Sequence, residues 1–193
     1  RYTLQARSQV HPAAFSQESL VDTPPAKWLA AHLRNGDRIG YDPWLMTVAD
    51  VRRFGEACKA AEAELVPVKA NPIDAIWTDR PAPPLGAVSL QPVSFAGEEA
   101  SDKIKRLQST LAERKVDAVV LTQPDSIAWT FNIRGSDVAH NPTPLAFAIL
   151  PAAGKPSVFI DGRKLSNAVR ATLADLADPR EPGEFAAGLA ALA

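Results

Sequence analysis

The sequence predicts an α/β fold organised as two domains that each contain a mixed sheet. Segments with apolar residues at helical spacing alternate with short apolar runs that are typical of strands. Four prolines and a glycine within residues 80–92 interrupt this alternation, and such a stretch favours an extended, fairly stiff connector. Residues 145–150 and 157–160 then have the pattern of two strands joined through a turn at Gly154, which is a hairpin signal.

The first predicted domain comprises residues 1–79. Short strands are predicted at residues 38–41 and 65–68. Between them, Thr47 makes a capping-box-like start for a helix, and apolar residues at helical spacing place Cys58 on its buried side. Cys58 is therefore interpreted as a small buried hydrophobe and not as a nucleophile.

Residues 80–96 are predicted to form a proline-rich linker, and residues 97–193 the second domain. The chain starts with arginine, and an alanine-rich helix at residues 184–193 stops without a cap, so we expect both domains to be incomplete. The second domain's other predicted elements are an amphipathic helix at 98–114, a central strand at 117–122, a short helix from Pro124, the hairpin, and a helix at 162–176.

Composition and charge exclude several classes of protein. With 21 basic and 22 acidic residues, the chain has no overall field that would attract nucleic acid or an anionic membrane. No apolar run approaches the roughly 20 residues that span a bilayer. The single cysteine cannot form an internal disulfide, which favours a reducing compartment. We expect a cytoplasmic protein without nucleic-acid or membrane partners.

The chain shows no pattern of a self-contained active site. Its three histidines, His11, His32 and His140, do not lie in any recognised metal-ligand spacing. A nucleophile elbow, a phosphate-binding glycine loop and a CxxC pair are all absent from the sequence. We therefore predict no catalytic residue, no metal ligand and no cofactor in this chain.

One segment concentrates hydrogen-bonding side chains: residues 132–142, with the sequence NIRGSDVAHNP, called the 132–142 loop below. Arg134, Asp137 and His140 are its candidate site residues. Two interpretations are open. In the first, the loop is structural, with Asp137 closing turns and Arg134 tying the loop down through carbonyl groups. In the second, the loop faces a ligand or another domain, as polar loops on rigid scaffolds often do.

Several long matches, in the right order, connect this sequence to a known family. The 132–142 loop resembles the NIRGSDVPHNP segment of the three-domain aminopeptidase P family, the Xaa-Pro aminopeptidases. Residues 39–47 (IGYDPWLMT) resemble the family's IGYDPWLHT, and residues 66–84 resemble its LVPV…NPID.IW.DRP.PP stretch. The opening RYTLQA resembles the end of a DGRYxxQA segment, in which an Asp-Gly pair would precede Arg1.

This resemblance implies a fold, an activity and partners. Family members have two non-catalytic domains of creatinase N-terminal-like (ribonuclease H-like) fold, followed by a catalytic domain with two divalent metals, usually manganese. The chain would then be the non-catalytic N-terminal region of an enzyme that removes the residue preceding a proline. Its partners would be its own catalytic domain and a peptide with proline second, and a homodimeric parent protein is compatible with it.

The resemblance also suggests a role for the loop, which would pack against the catalytic domain and border the substrate entrance. Arg134 and His140 are the candidates for that contact, and Asp137 for holding the loop. Two residues depart from the family pattern: Met46 replaces a histidine, and Ala139 replaces a proline, which removes a fixed φ. The alternative is a stand-alone creatinase-like protein-binding module. In both cases the isolated chain is expected to lack peptidase activity.

Overall fold

The computed structural model describes residues 2–192, which form two compact units. Unit 1 extends to Pro81 and unit 2 begins at Ala82, and each is described by itself. Two positions named above lie outside the described residues: Arg1, which would follow an Asp-Gly pair, and Ala193, the last residue of the predicted C-terminal helix.

Unit 1 is an α/β unit with a two-stranded sheet. The first strand pairs with the second in parallel, from Arg38 opposite Glu64 to Tyr41 opposite Pro67. In chain order its elements are α1 (Thr3–Gln9), α2 (Pro25–His32), β1 (Arg38–Tyr41), α3 (Val48–Ala60), β2 (Glu64–Pro67) and α4 (Pro72–Ile76). The parallel pair needs a crossover connection, which α3 supplies.

Helix α3 has a side-chain cap at its start and a buried cysteine near its end. The hydroxyl of Thr47 accepts a hydrogen bond from the backbone N–H of Asp50, which confirms the predicted cap. Cys58 is buried, as predicted, and no other described side chain of unit 1 is as completely enclosed. Burial raises the pKa of its thiol, which disfavours the thiolate that a nucleophile requires.

Unit 2 contains a four-stranded mixed sheet with helices around it. Its elements are β3 (Ser89–Leu90), α5 (Val93–Ala96), α6 (Ala100–Glu113), β4 (Ala118–Leu121), α7 (Pro124–Thr130), β5 (Ile133–Arg134), β6 (Phe147–Pro151), β7 (Ser157–Phe159), α8 (Asn167–Leu176), β8 (Asp178–Arg180) and α9 (Phe185–Ala190). The strand order is β4-β6-β7-β8, with β4, β6 and β7 antiparallel in turn and β7 parallel to β8. A separate antiparallel pair joins β3 to β5.

Both faces of the four-stranded sheet are covered. Successive residues of β6 alternate between two apolar clusters, since Leu150 belongs to the larger cluster and Ile149 to the smaller. In the smaller cluster the ring of Phe185 from α9 stacks on Phe147 with 4.4 Å between ring centroids, and it meets the edge of Phe159. The larger cluster packs the sheet against α6, α7 and α8. Two-sided burial explains why β4 and β6 are continuously apolar in sequence.

The structure differs from the sequence-based segmentation in two places. Part of the predicted linker, residues 80–96, forms β3 and α5 inside unit 2, because β3 pairs with β5 and the N–H of Val88 donates to the carbonyl of Lys164 at 2.9 Å. The predicted helix at 162–176 is divided. A short 3-10 helix, Gly162–Lys164, comes first, and α8 starts after Ser166, whose hydroxyl accepts from the N–H of Val169.

Among residues 2–192, no helix combines the length and the apolar character that crossing a bilayer requires.

Candidate functional site: the anchored 132–142 loop

The carboxylate of Asp137 is the central anchor of the 132–142 loop, and its side chain is fully buried. Its Oδ1 accepts a hydrogen bond from the N–H of Gly86 at 2.9 Å, and its Oδ2 accepts one from the N–H of Leu145 at 2.7 Å. The ammonium group of Lys164 lies 2.6 Å from Oδ2. One side chain therefore joins three segments that are far apart in the sequence.

Lys164, the cationic partner of Asp137, is 5% exposed in its side chain. Its Nζ also contacts the carbonyl of Leu145 at 3.4 Å, the residue whose N–H donates to the carboxylate of Asp137. An unpaired charge would be very costly to bury here, and the pairing makes both buried charges tolerable. The 3-10 helix places Lys164, and this helix starts where the carboxylate of Asp161 accepts from the N–H of Arg163 at 2.9 Å.

Two glycines let the surrounding backbone approach the loop closely. A Cβ at Gly86 would lie 2.5 Å from the hydroxyl of Ser136 and 2.8 Å from its carbonyl carbon. A Cβ at Gly135 would lie 2.7 Å from the backbone nitrogen of Pro144. Neither φ is positive, so glycine is required here by lack of space and not by backbone conformation. The loop is thus packed tightly on both sides of Asp137.

Arg134 is half-buried at the start of the loop. Its guanidinium donates to the carbonyl of Ile133 at 2.8 Å and to that of Ala128 at 3.3 Å. These are contacts of the kind that the structural interpretation describes. A role of Arg134 in substrate approach or in contact with another domain stays a prediction.

A second buried lysine fixes the first residue of the loop. Lys103 of α6 is 1% exposed, and its ammonium group donates to the side-chain oxygen of Asn132 at 2.7 Å and to the carbonyl of Trp129 at 3.0 Å. It also lies 4.4 Å from the centroid of the Trp129 ring, a cation–π contact. Burial lowers the pKa of Lys103, and the carboxylate of Glu98 opposes that effect. Asn132 has φ 50°, a left-handed conformation that asparagine tolerates.

His140 lies at the tip of the loop, in a turn that is closed by one backbone hydrogen bond. The N–H of Asn141 donates to the carbonyl of Val138 at 3.1 Å. Its φ is 60°, which is uncommon for a residue with a side chain. The residue is exposed, and within residues 2–192 its imidazole forms no hydrogen bond, ion pair or ring contact. The base of the loop, at Asp137, is therefore held by hydrogen bonds, while the imidazole of His140 at its tip is exposed.

A largely apolar cavity of about 530 Å³ lies beside the anchor. Leu145 and Lys164 belong to both the anchor and the cavity wall, and Phe147 contributes an aromatic surface. Its polar lining residues are Thr122, Asp161 and Lys164. Hydrogen bonds from the side chain and backbone of Arg163 lower the pKa of Asp161 to about 2.

Among residues 2–192, no three histidine, cysteine, aspartate or glutamate side chains are grouped so that they could hold a metal ion. His32 stacks on Trp28 in unit 1, with 4.1 Å between ring centroids. The arrangement around Asp137 can hold a loop in place, because its carboxylate is buried and accepts from three donors.

Sequence reasoning found the residues of the loop itself, and the structure adds the two buried lysines that hold it. Arg134, Asp137 and His140 lie in one loop, as their spacing requires, but they do not converge on one point: Asp137 is buried, and His140 is exposed. Lys103 and Lys164 were missed. Lys164 has no local signal, because it follows the polar residues Asp161 and Arg163 and its partner Asp137 is 27 residues away.

Comparison with known proteins gives consistent results over most of the chain. The model of the creatinase/prolidase N-terminal domain matches residues 79–193, more than half of the chain. "Aminopeptidase P1" of Lotus japonicus is 34% identical over 177 residues, which are 90% of this chain and 26% of that protein. A "Probable Xaa-Pro aminopeptidase P" of Arthroderma gypseum is 37% identical over 176 residues, 88% of this chain and 27% of that protein.

A solved structure agrees with these relatives. The X-prolyl aminopeptidase of Caenorhabditis elegans, described as a cytosolic enzyme with a di-nuclear active site, matches with a TM-score of 0.89 and 30% identity. The match covers 97% of this chain and 31% of that one, so the chain spans less than a third of the length of these relatives. The predicted α/β fold of creatinase N-terminal type is confirmed. The predicted mixed sheet is found in unit 2, whereas the two described strands of unit 1 are parallel. The chain belongs to the creatinase/prolidase N-terminal domain family, and the relatives named here are aminopeptidases of the Xaa-Pro type.

Proposed function

We propose that this chain is the non-catalytic N-terminal region of a metal-dependent Xaa-Pro aminopeptidase, and that its 132–142 loop borders the substrate entrance. The catalytic domain of the same protein would be its main partner, and the substrate would be a peptide with proline second. The two divalent metals, manganese by family resemblance, would be held in that catalytic domain. A cytosolic location follows the description of the Caenorhabditis elegans relative.

The observation that carries the proposal is the contrast between the base and the tip of the loop. The base has a buried carboxylate at Asp137 that accepts from three donors, and two glycines without room for a side chain. The tip has an exposed His140 in a left-handed conformation, without a partner among residues 2–192. A loop that only had to close a connection would not need a fixed base and a strained polar tip. Such a loop suits the presentation of a side chain to another surface.

The metal chemistry of the proposed reaction is inferred from the relatives, one of which is described as having a di-nuclear active site. A hydrolase with two metals needs carboxylates and histidines that converge on both ions, and no such group exists among residues 2–192. The chain's contribution would therefore be to support and shape the approach to an active site built elsewhere in the protein. In this role the loop excludes or orients the part of the peptide that lies outside the metal centre.

The test compares two proteins under one assay. The intact protein, of which this chain would be a part, is expected to release the first residue from an Xaa-Pro peptide in the presence of Mn²⁺. This chain alone, at equal concentration, is expected to release none. An intact protein that is folded and loaded with Mn²⁺ but inactive on Xaa-Pro peptides would contradict the proposal and favour a protein-binding module.

A further inference from the structure

We infer that Lys164 is a positioning residue, which acts through Asp137 to hold the 132–142 loop in the conformation that presents His140. The effect on the loop depends only on the geometry of this chain. The effect on catalysis rests on the function proposed above. Lys164 would not touch substrate, because its side chain is 5% exposed and its ammonium group is used by Asp137 and Leu145.

The first step is that Lys164 is committed to Asp137. A competing carboxylate is close in sequence, at Asp161, but the guanidinium of Arg163 binds both of its oxygens, at 2.9 and 2.6 Å. Lys164 has only a minor electrostatic influence on Asp161, the smallest of those that act on it. The ammonium group is therefore free to pair with Asp137 at 2.6 Å.

The second step is that the pair controls more than its own two residues. Lys164 pairs with the buried carboxylate of Asp137 at 2.6 Å, and hydrogen bonds between charged groups are stronger than those between neutral groups. The carboxylate oxygens hold the N–H groups of Gly86 and Leu145, on either side of the loop. Without the ammonium group, the buried carboxylate loses its charged partner, and a buried charge left without its partner is strongly destabilising. Movement of Asp137 to relieve that cost would weaken the hold on both backbone segments.

The third step connects the anchor to the tip. His140 has φ 60°, and a residue with a side chain keeps such a conformation only when its surroundings determine it. The turn from Val138 to Asn141 contributes one backbone hydrogen bond. Two backbone hydrogen bonds close the loop further out, from the N–H of Gly135 to the carbonyl of Pro142 at 3.2 Å and from the N–H of Thr143 to the carbonyl of Asn141 at 2.8 Å. Asp137, one residue before the turn, adds the side-chain anchor that fixes this backbone to the rest of the unit. Lys164 thus acts on His140 through the backbone that Asp137 fixes.

The experiment uses the intact protein and two variants, Lys164→Met and the double variant Lys164→Met/Asp137→Asn. Methionine keeps a long unbranched side chain and removes the charge. The double variant removes both charges, so it has no unpaired ion in the interior and is expected to recover much of the thermal stability that Lys164→Met loses. Hydrogen exchange followed by mass spectrometry reports on peptides that contain Gly86 and Leu145, and peptides from α8 serve as the internal control.

In Lys164→Met we expect exchange at the Gly86 and Leu145 peptides to be faster by about tenfold, the effect of weakening a charge-assisted hydrogen bond, while α8 peptides stay unchanged. We also expect KM for an Xaa-Pro peptide to rise more than kcat falls. A purely stabilising role of Lys164 would instead speed exchange in the α8 peptides as much as in the Gly86 and Leu145 peptides. Unchanged exchange at both peptides would therefore refute the inference. Faster exchange with unchanged KM and kcat would support Lys164 as the residue that positions the loop, and would contradict the proposed function.

Discussion

Replacing Gly86 by alanine tests how tightly the 132–142 loop is held. The added Cβ would lie 2.5 Å from the hydroxyl of Ser136, 2.8 Å from its carbonyl carbon and 3.0 Å from the backbone nitrogen of Asp137. The hydroxyl can rotate away, but the two backbone atoms can move only if the loop moves. That movement would also stretch the 2.9 Å hydrogen bond from the Gly86 N–H to Asp137.

The expected loss can be worked out from these contacts. Forcing an extra carbon into a packed site costs about 1–3 kcal/mol, and weakening a hydrogen bond to a charged group costs about 1 kcal/mol more. Restricting the unfolded chain returns about 0.4–1 kcal/mol. The net prediction is a decrease of about 2 kcal/mol in the free energy of unfolding, or roughly 8 °C in Tm for a unit of this size.

Urea unfolding followed by circular dichroism measures this change. The matched control is Gly183→Ala, because Gly183 is in the same unit, has no positive φ, and has nothing within 4 Å of an added Cβ. The control should lie within about 0.5 kcal/mol of the wild type. If Gly86→Ala were as stable as Gly183→Ala, the backbone around Asp137 would have yielded at little cost, and the reasoning about a tightly held loop would be refuted.

Two further predictions concern the charged groups of unit 2. Asp161 has a pKa of about 2 in the folded protein against an ordinary 3.8, so its contribution to stability is present above pH 3.8 and is lost as the pH falls towards 2. In Arg163→Gln the carbon-13 titration of the Asp161 carboxyl should move up towards 3.8, and an unchanged titration would contradict the role of the guanidinium. Lys103→Met leaves the oxygens of Asn132 and Trp129 without their donor and should lower the free energy of unfolding by about 2 kcal/mol. Because burial lowers the folded-state pKa of Lys103, wild-type stability relative to this variant should rise with pH just below 10.5, and parallel pH curves for the two proteins would count against that assignment.

The parts of the fold that sequence reasoning predicted well are those with a local signal. Thr47 precedes an apolar face at helical spacing, and the start of α3 follows directly. The turn at Gly154, with φ 96°, joins β6 to β7 as the hairpin pattern indicates. Strands β3 and β5 have two residues each, too few to show a period of two, and only tertiary contact defines their pairing. The prolines of the segment 80–96 predict a linker, and strands of two residues give no sequence signal against that prediction.

The candidate site shows the same limit more clearly. The polar loop and its three candidate residues are visible in the sequence, because the loop concentrates hydrogen-bonding groups around a glycine. The partners of Asp137 are not visible, since Lys164 is 27 residues away and Gly86 is 51 residues away. No local pattern links a lysine to an aspartate across that distance. Burial also divides the candidates: Asp137 holds the loop, and His140 remains available.

The most direct test of the account is steady-state kinetics of His140→Asn in the intact protein with an Xaa-Pro peptide. Asparagine tolerates a φ of 60°, so folding should be unaffected, whereas Arg134→Ala would also remove the contacts to the carbonyls of Ile133 and Ala128. The matched control is His11→Asn, at an exposed histidine of unit 1. If the loop borders the substrate entrance, KM should rise about threefold to tenfold, the value of one lost hydrogen bond, with unchanged Tm. Kinetic constants equal to those of the wild type and of the control, in a folded enzyme, would contradict the central claim.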